Sequence, residues 1–432
     1  MTIKPFSHCF GVWVVISTLL GLVVSTANSA QRGQLSIATA GALGDGGTLT
    51  TAAIQKAIDQ LAEKGGGTLI IPQGEFLTGA IFLKPGVNLQ LDKGAVLKGS
   101  TNIADYPAME TRIEGHTQVW RPALVNATKV DHLRITGEGT IQGGGKPFWD
   151  AFLNRRAADR NTRNLDVDRP RNIFIRDSQD VRISGISLRE SGFWNLHLFR
   201  CRDVVVEKLD IRAPRPSPST DGIDVDSCQN VTIRGCYISV NDDNIALKGN
   251  KGPFAMADKA IPPVEHIRIS DCTFALGNAG LTVGSEASVV RDVVMENCKL
   301  VGTERNCVLK LKVRPDTPEI YQNITARNIT VDNLTATLIS IEAWRQYFDL
   351  QGQPPPAQLI DRITLANITG TLSGFGRIDG PDKSTVQNIT LQNIDIKATN
   401  PRAVINNVKN LKLKNVKING AALAVPPETP AK

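Results

Sequence analysis

The chain has 432 residues, 49 Lys and Arg against 42 Asp and Glu, and a formal net charge of +7. Apolar residues make up 41% and charged residues 21%, the proportions of a soluble globular protein and not of a disordered or fibrous one. The cations form no run, so the surface reads as mildly basic and solvated, with no nucleic-acid footprint.

Residues 1–30 have the layout of an export signal. Lys4 supplies the positive start, Cys9 to Val24 the apolar stretch, and Ala27-Asn28-Ser29-Ala30 the small residues before a cut. A retained anchor is the alternative, and the polar Gln31-Arg32-Gly33 that follows favours cleavage. The mature protein is therefore expected to be free of the membrane and secreted or periplasmic. Thr51 to Lys64 reads as a helix with Ile54, Ala57, Ile58 and Leu61 on one face and Gly65 just past its end.

From residue 132 onward one short pattern recurs. It runs through His132-Leu-Arg-Ile-Thr-Gly, Asp180-Val-Arg-Ile-Ser-Gly-Ile and Asn230-Val-Thr-Ile-Arg-Gly-Cys, and ends at Asn410-Leu-Lys-Leu-Lys-Asn-Val. Starts fall 22 to 27 residues apart, with gaps of 31 to 48 where loops bulge out. Each unit predicts a strand, a tight bend and another strand. The sixth position is Gly, Asn or Asp in all but one unit (Lys208), so a left-handed bend is expected there, with the Asn residues stacked as a ladder. The seventh position is apolar or Cys, and Cys236, Cys272 and Cys298 read as an inward stack of thiols. No Cys-x-x-Cys pair occurs, which argues against a zinc or redox site.

Strands without alternating amphipathic helices exclude a doubly wound sheet or a barrel. The expected fold is all-β, a right-handed parallel β-helix over residues 31–420, capped by the N-terminal helix. The Pro-rich 421–432 segment reads as a flexible tail.

Two acidic stretches, Ser219-Thr220-Asp221-Gly222-Ile223-Asp224 and Asn241-Asp242-Asp243-Asn244, lie 21 residues apart, about one coil. That spacing stacks Asp221 on Asp242, and a bend at the flanking Asn residues brings in Asp243. Carboxylates so close do not all ionise at neutral pH, so one keeps its proton. An acid beside ionised bases cleaves a glycosidic bond; the same cluster is also a candidate cation site.

These residues carry a resemblance to the polygalacturonase-like pectin hydrolases of glycoside hydrolase family 28. It runs from Asp45-Gly46-Gly47-Thr48 to about Asn333. It includes Gly65-Gly66-Gly67-Thr68, Leu97-Lys98-Gly99-Ser100, Gly143-Gly144-Gly145-Lys146-Pro147-Phe148-Trp149 and Ser191-Gly192-Phe193-Trp194-Asn195-Leu196-His197. The resemblance implies a cofactor-free, metal-free inverting hydrolase of galacturonate-containing pectic polysaccharide, acting as a monomer. It makes Asp242 the general acid and gives Asp221 and Asp243 the water. Two positions depart from the family pattern: Asn278 stands where a His is usual, and Lys310-Leu311-Lys312 stands where Arg-x-Lys is usual. Asn278, Lys310, Lys312 and Lys248 are the expected substrate-binding residues, with Arg314 beside them. The two departures keep a rhamnogalacturonan-type backbone open as the substrate.

Trp194, Trp344 and Tyr347 are candidates for stacking on sugar rings, with packing the alternative for Trp194. Asp224, Asp226, His197 and His266 read as structural. The insertions Asn250–Pro263 and Arg345–Pro356 are expected to wall the groove and favour attack at chain ends. Two other classes fit a β-helix: a calcium-dependent pectate lyase and a non-catalytic carbohydrate-binding adhesin.

Overall fold

The computed structural model describes residues 1–2 and 33–424; the predicted leader from residue 3 and the predicted tail from residue 425 fall outside them. From Gly33 onward the chain winds into parallel coils whose strands stack in three ladders. One ladder passes through Gln179–Ser184, Arg202–Glu207, Gln229–Arg234 and Val264–Ser270. A second passes through Ser187–Arg189, Asp210–Arg212 and Tyr237–Ser239. The third, which bears the site, passes through Leu196–Phe199, Ile223–Asp226, Ile245–Lys248, Leu281–Val283 and Cys307–Val313. The fold is the all-β parallel β-helix that the repeat implies.

Stacking of like on like explains why the repeat folds this way. In register, Ile135, Ile183, Val206, Ile233, Ile269, Met295, Ala326, Leu365 and Leu391 form one continuous inward column. All are fully buried, and each Val, Leu, Ile or Met side chain so placed contributes roughly 1.5–3 kcal/mol. Cys236, Cys272 and Cys298 occupy a parallel column, and all six described cysteines are buried free thiols. The sixth-position bend has φ between +51° and +122°, from Gly137 to Asn415 and including Lys208. At Gly137 a Cβ would stand 1.9 Å from the Leu91 carbonyl oxygen, so only glycine fits. The first position is also left-handed, at His132, Asp180, Asn230, His266 and Arg362 among others, and this second bend per coil was not expected.

The capping helix α1 spans Thr51–Glu63 and buries Ile54, Ala57, Ile58 and Leu61. Two features near the site have no counterpart in the expectations. A helix, α2, spans Lys146–Ala158, and an antiparallel hairpin pairs Met109–Ile113 with His116–Trp120. The helix hid because Lys146, Asp150, Asn154 and Arg155 break any apolar stripe; Pro147 in its first turn was the local signal. Beyond Glu319 the strands lengthen to 25, 22 and 22 residues and pair almost without interruption. At the C-terminal end Ala421 and Ala422 pair antiparallel with Ile418 and Lys417. Among the described residues no helix is long and apolar enough to cross a membrane.

Candidate active site

The site-bearing ladder has a shift of 22 residues between its second and third strands, Ile223 opposite Ile245. Asp221 therefore corresponds to Asp243, not to Asp242 as the 21-residue spacing implied. Both lie in the bends just before their strands, where the alternation of a regular strand does not apply. Asp242 reaches the same space from the bend itself. One carboxylate oxygen from each of Asp221, Asp242 and Asp243 lies within 4.8 Å of the others.

Several bonds hold the bends. The Asp243 amide donates to Asp242 Oδ1 (3.0 Å), and Asn278 Nδ2 donates to the same oxygen (2.7 Å). Asn244 Nδ2 donates to the Ala279 carbonyl (3.1 Å), and the Gly222 amide to the Asp243 carbonyl (2.9 Å). Gly277 is required here, because a Cβ would meet Asn244 Nδ2 at 2.1 Å. Beneath Asp221, Arg169 donates to the Pro218 carbonyl (2.6 Å) and lies between the rings of Phe152 and Phe193. Helix α2 thereby braces the first acidic bend.

The three aspartates occupy different electrostatic environments. Burial pushes the Asp243 carboxyl up, but the Lys312, Lys248 and Lys310 ammoniums outweigh it and hold the group below its ordinary value. Lys312 Nζ contacts Asp243 Oδ2 at 2.5 Å, and Thr282 Oγ1 donates to Oδ1 at 2.8 Å. Asp242 is the most accessible of the three, and burial followed by the charge of Asp243 raises its carboxyl. Burial and Asp242 raise Asp221 further still, against the pull of Lys248 at 3.3 Å. One environment thus favours a proton and its neighbour favours a charge, the separation that acid–base chemistry requires. The oxygens titrate as a coupled group.

The expected substrate-binding residues divide. Lys310 lines the cleft and has no carboxylate partner among the described residues. Lys312 is committed to Asp243 and lies over the Trp344 ring at 5.0 Å. Asn278 donates to Asp242. Lys248 is 4% exposed and turned toward Asp221, Asp224 (3.5 Å) and Glu286 (3.5 Å), over the ring of Trp194. It serves as an internal countercharge, since its ammonium is surrounded before any substrate arrives. Arg314 is likewise taken up by Asp316 at 2.8 Å. Trp194, Trp344 and Tyr347 all line the cleft, and Trp194 is the one that is buried, packed against Phe193 and His197.

Asp226 and His197 are structural, as expected. Arg112 from the hairpin contacts Asp226 at 2.8 Å and holds its carboxyl down to about 2 against burial. Burial pulls His197 down to about 3, so its ring is neutral. Asp224 stands differently. It is fully buried, neither oxygen has a hydrogen-bond partner, and burial pushes its carboxyl up to about 8, so it is the carboxyl that sequence reasoning undervalued.

The cleft encloses about 400 Å³. Residues 250–263 contribute Lys251 to it, and residues 345–356 contribute Gln346 and Tyr347. Much of the wall comes from segments not foreseen: the hairpin tip with Glu114, and α2 with the residues after it. Asn164 Nδ2 donates to Glu114 Oε1 (2.9 Å), and the Tyr347 hydroxyl reaches the Thr162 carbonyl at 3.4 Å. Arg156, Arg305, Glu114 and Glu286 also line the cleft without having been predicted.

The chain matches the model of Glycosyl hydrolases family 28 over residues 63–420. It is 28% identical over 416 residues to a probable polygalacturonase of Vitis vinifera, covering 90% of this chain and 82% of that one. It is 26% identical to an endo-polygalacturonase of Pectobacterium carotovorum subsp. carotovorum, covering 80% and 84%. The crystal structure of a hyperthermoactive exopolygalacturonase from Thermotoga maritima superposes with a TM-score of 0.76 at 25% identity, covering 90% of this chain and 93% of that one.

Proposed function

The chain belongs to glycosyl hydrolase family 28 and is a polygalacturonase-like hydrolase of pectin; from that premise we propose how its residues do the work. Asp242 is the general acid that protonates the leaving glycosidic oxygen. Asp243, kept ionised by Lys312, takes the proton from water, and Asp221 holds that water on the opposite face of the ring. The enzyme is exported and cuts with inversion at the anomeric carbon. The observation that carries the reading is the convergence of three aspartate oxygens within 4.8 Å at the floor of a cleft, two beside an ammonium and one, that of Asp242, without. Inversion rests on the family. Carboxyls this close are more usual for retention, so the anomer of the first product decides the point.

Attack at chain ends is the second part of the proposal. Hydrogen bonds join the hairpin tip, the residues after α2 and Tyr347 into one wall of the cleft, and such a wall leaves a long polymer less room there. Substitution of Asn278 and Lys310 at the two departing positions favours a second reading, a mixed rhamnogalacturonan-type backbone in place of plain galacturonan.

The test incubates purified protein with homogalacturonan, rhamnogalacturonan and defined oligomers, and follows products by mass and by NMR of the anomeric proton. Expected are saturated products, short ones from the first minutes, with the anomer opposite to that of the bond cut. Ultraviolet-absorbing unsaturated products, or mixed-length oligomers at the outset, would each refute part of the proposal. The pH–rate profile is expected to be bell-shaped. Its acid limb reports protonation of the lowered Asp243 carboxyl, its alkaline limb loss of the proton from the raised Asp242 carboxyl.

A further inference from the structure

The outer face of one ladder changes character at its last coil. Three register columns run along the ladder of Gln179–Ser184 and end at Lys409, Lys412 and Lys414. In earlier coils the cations of these columns meet a carboxylate on a neighbouring coil. Arg234 pairs with Glu207 (2.6 Å), Arg291 with Glu265 (2.6 Å), Arg268 with Asp292 (3.1 Å) and Arg327 with Glu296 (2.6 Å). The three lysines instead stand opposite Gln387, Thr390 and Gln392. All three are exposed, and none has an ion-pair partner among the described residues. Over residues 384–424 there are six cations to one carboxylate, Asp395, which stands opposite Lys417 past the Asn415 bend.

Lysine on an edge strand is a common defence against pairing with another chain, and Lys412–Ile418 is the last parallel rung. Charge of either sign serves that purpose. It does not call for one sign throughout, left without countercharge. Lys412 and Lys414 are exposed on one strand two residues apart, roughly 7 Å, so they form a row that suits a polymer charged unit after unit. Behind Lys412 the column is neutral: Thr325, Thr364 and Thr390 lie in register, and their hydroxyls suit a sugar chain. Among the described residues of this coil no large apolar side chain is exposed, so none is offered to the interior of a lipid surface.

We propose that Lys409, Lys412 and Lys414 form a second binding surface for un-esterified galacturonan, separate from the cleft, which holds the enzyme on its polymer. This rests on the pectic substrate proposed above. The surface belongs to a different ladder from the aspartates. It lies six rungs past Arg234, roughly 30 Å along the stack. Over that separation it acts by tethering: a polymer held at the lysines raises the concentration of cleavable bonds at the cleft. A short oligomer engages the cleft alone and gains nothing.

The test compares wild type with the triple variant Lys409→Glu, Lys412→Glu, Lys414→Glu and with the same three residues changed to Gln. Thermal unfolding checks folding, and light scattering checks self-association. Binding to immobilised un-esterified galacturonan is measured in the Asp242→Asn background, and rates are measured with active protein on soluble polymer and on trigalacturonate. Both triple variants are expected to lose about 10- to 100-fold in affinity for the immobilised polymer, and the polymer KM to rise about 3- to 10-fold. The kcat on polymer and the kcat/KM on trigalacturonate stay within about twofold of wild type. Edge protection alone predicts that the Glu variant, whose edge remains charged, binds polymer as wild type does. Should both triple variants fail to fold, Lys412→Gln alone is expected to weaken polymer binding about 2- to 5-fold. Unchanged polymer binding in the variants, or an equal loss on trigalacturonate, overturns the inference while leaving hydrolysis standing. A larger loss on anionic phospholipid vesicles or duplex DNA than on galacturonan also overturns it. A protein that binds galacturonan through these lysines yet releases no product refutes the hydrolysis and leaves the surface standing.

Discussion

Two ends of one sheet face place their charges in opposite ways. On the rungs of His197, Asp224 and Asp226 the outward side chains are fully buried. Further along the same ladder Lys310 stands in register with Ser340 and Arg377, and Lys312 with Glu342 and Asp379. At the far end of that ladder the pair is open to water: Arg377 meets Asp379 at 2.8 Å with 45% of its side chain exposed. The strands are the same and the difference is the cover. The hairpin Met109–Trp120 and α2 lie against the first region, and its carboxyls shift up or down according to their partners. A repeat supplies the frame, and burial of one stretch of its outer face supplies the chemistry.

The sharpest way to break this comparison is to remove a carboxylate at each end. Asp242→Asn is expected to lower kcat by about 10²- to 10⁴-fold with no loss of thermal stability, since it removes only the proton to be donated. Asp379→Asn, at the open end, is expected to leave kcat within about twofold. Comparable losses from both would mean that the covered region has no special role.

Stability makes the second contrast. Arg112→Ala strands a buried Asp226 and is expected to cost about 3–5 kcal/mol in denaturant unfolding, whereas Arg377→Ala costs about 0–1 kcal/mol. The pH dependence follows in sign. Asp226 is held at about 2 against an ordinary 3.8, so its contribution is present above 3.8 and is lost as pH falls through about 2. Wild type should shed that stability across this window, and the Arg112 variant should not. If both lose stability in parallel, Asp226 is not the group responsible.

The fold was legible because stacking makes it periodic. The column from Ile135 to Leu391, the Cys stack and the capping face of α1 all follow from residue type and spacing alone. The aspartates were legible for the same reason, although the true shift of 22 residues pairs Asp221 with Asp243. What was not legible lies off the rungs. Arg156, Glu114 and Arg112 come from a helix without an apolar stripe and from a hairpin outside the repeat, and their distance from the aspartates is set by tertiary packing. The surroundings of Lys248 were hidden for a related reason: a motif does not show that three carboxylates from neighbouring coils enclose its ammonium.

The open end of the solenoid sets the smallest expected effect and separates two reasons for its conserved geometry from coil to coil. Asn328, Asn367, Asn393 and Asn415 each donate Nδ2 to the Asn one coil earlier, at 2.9–3.3 Å, and all have φ between +51° and +55°. Asn is therefore doing two things at once, bridging rungs and tolerating a left-handed backbone. Asn367→Gly removes the bridges to Asn328 and Asn393 but keeps the backbone free, and should cost about 1 kcal/mol. Asn367→Ala removes the bridges and also forces a Cβ into the left-handed region, and should cost about 2 kcal/mol. Unfolding both variants in denaturant distinguishes the terms. Equal losses would assign the position to the ladder alone, and a neutral Gly variant would assign it to the bend.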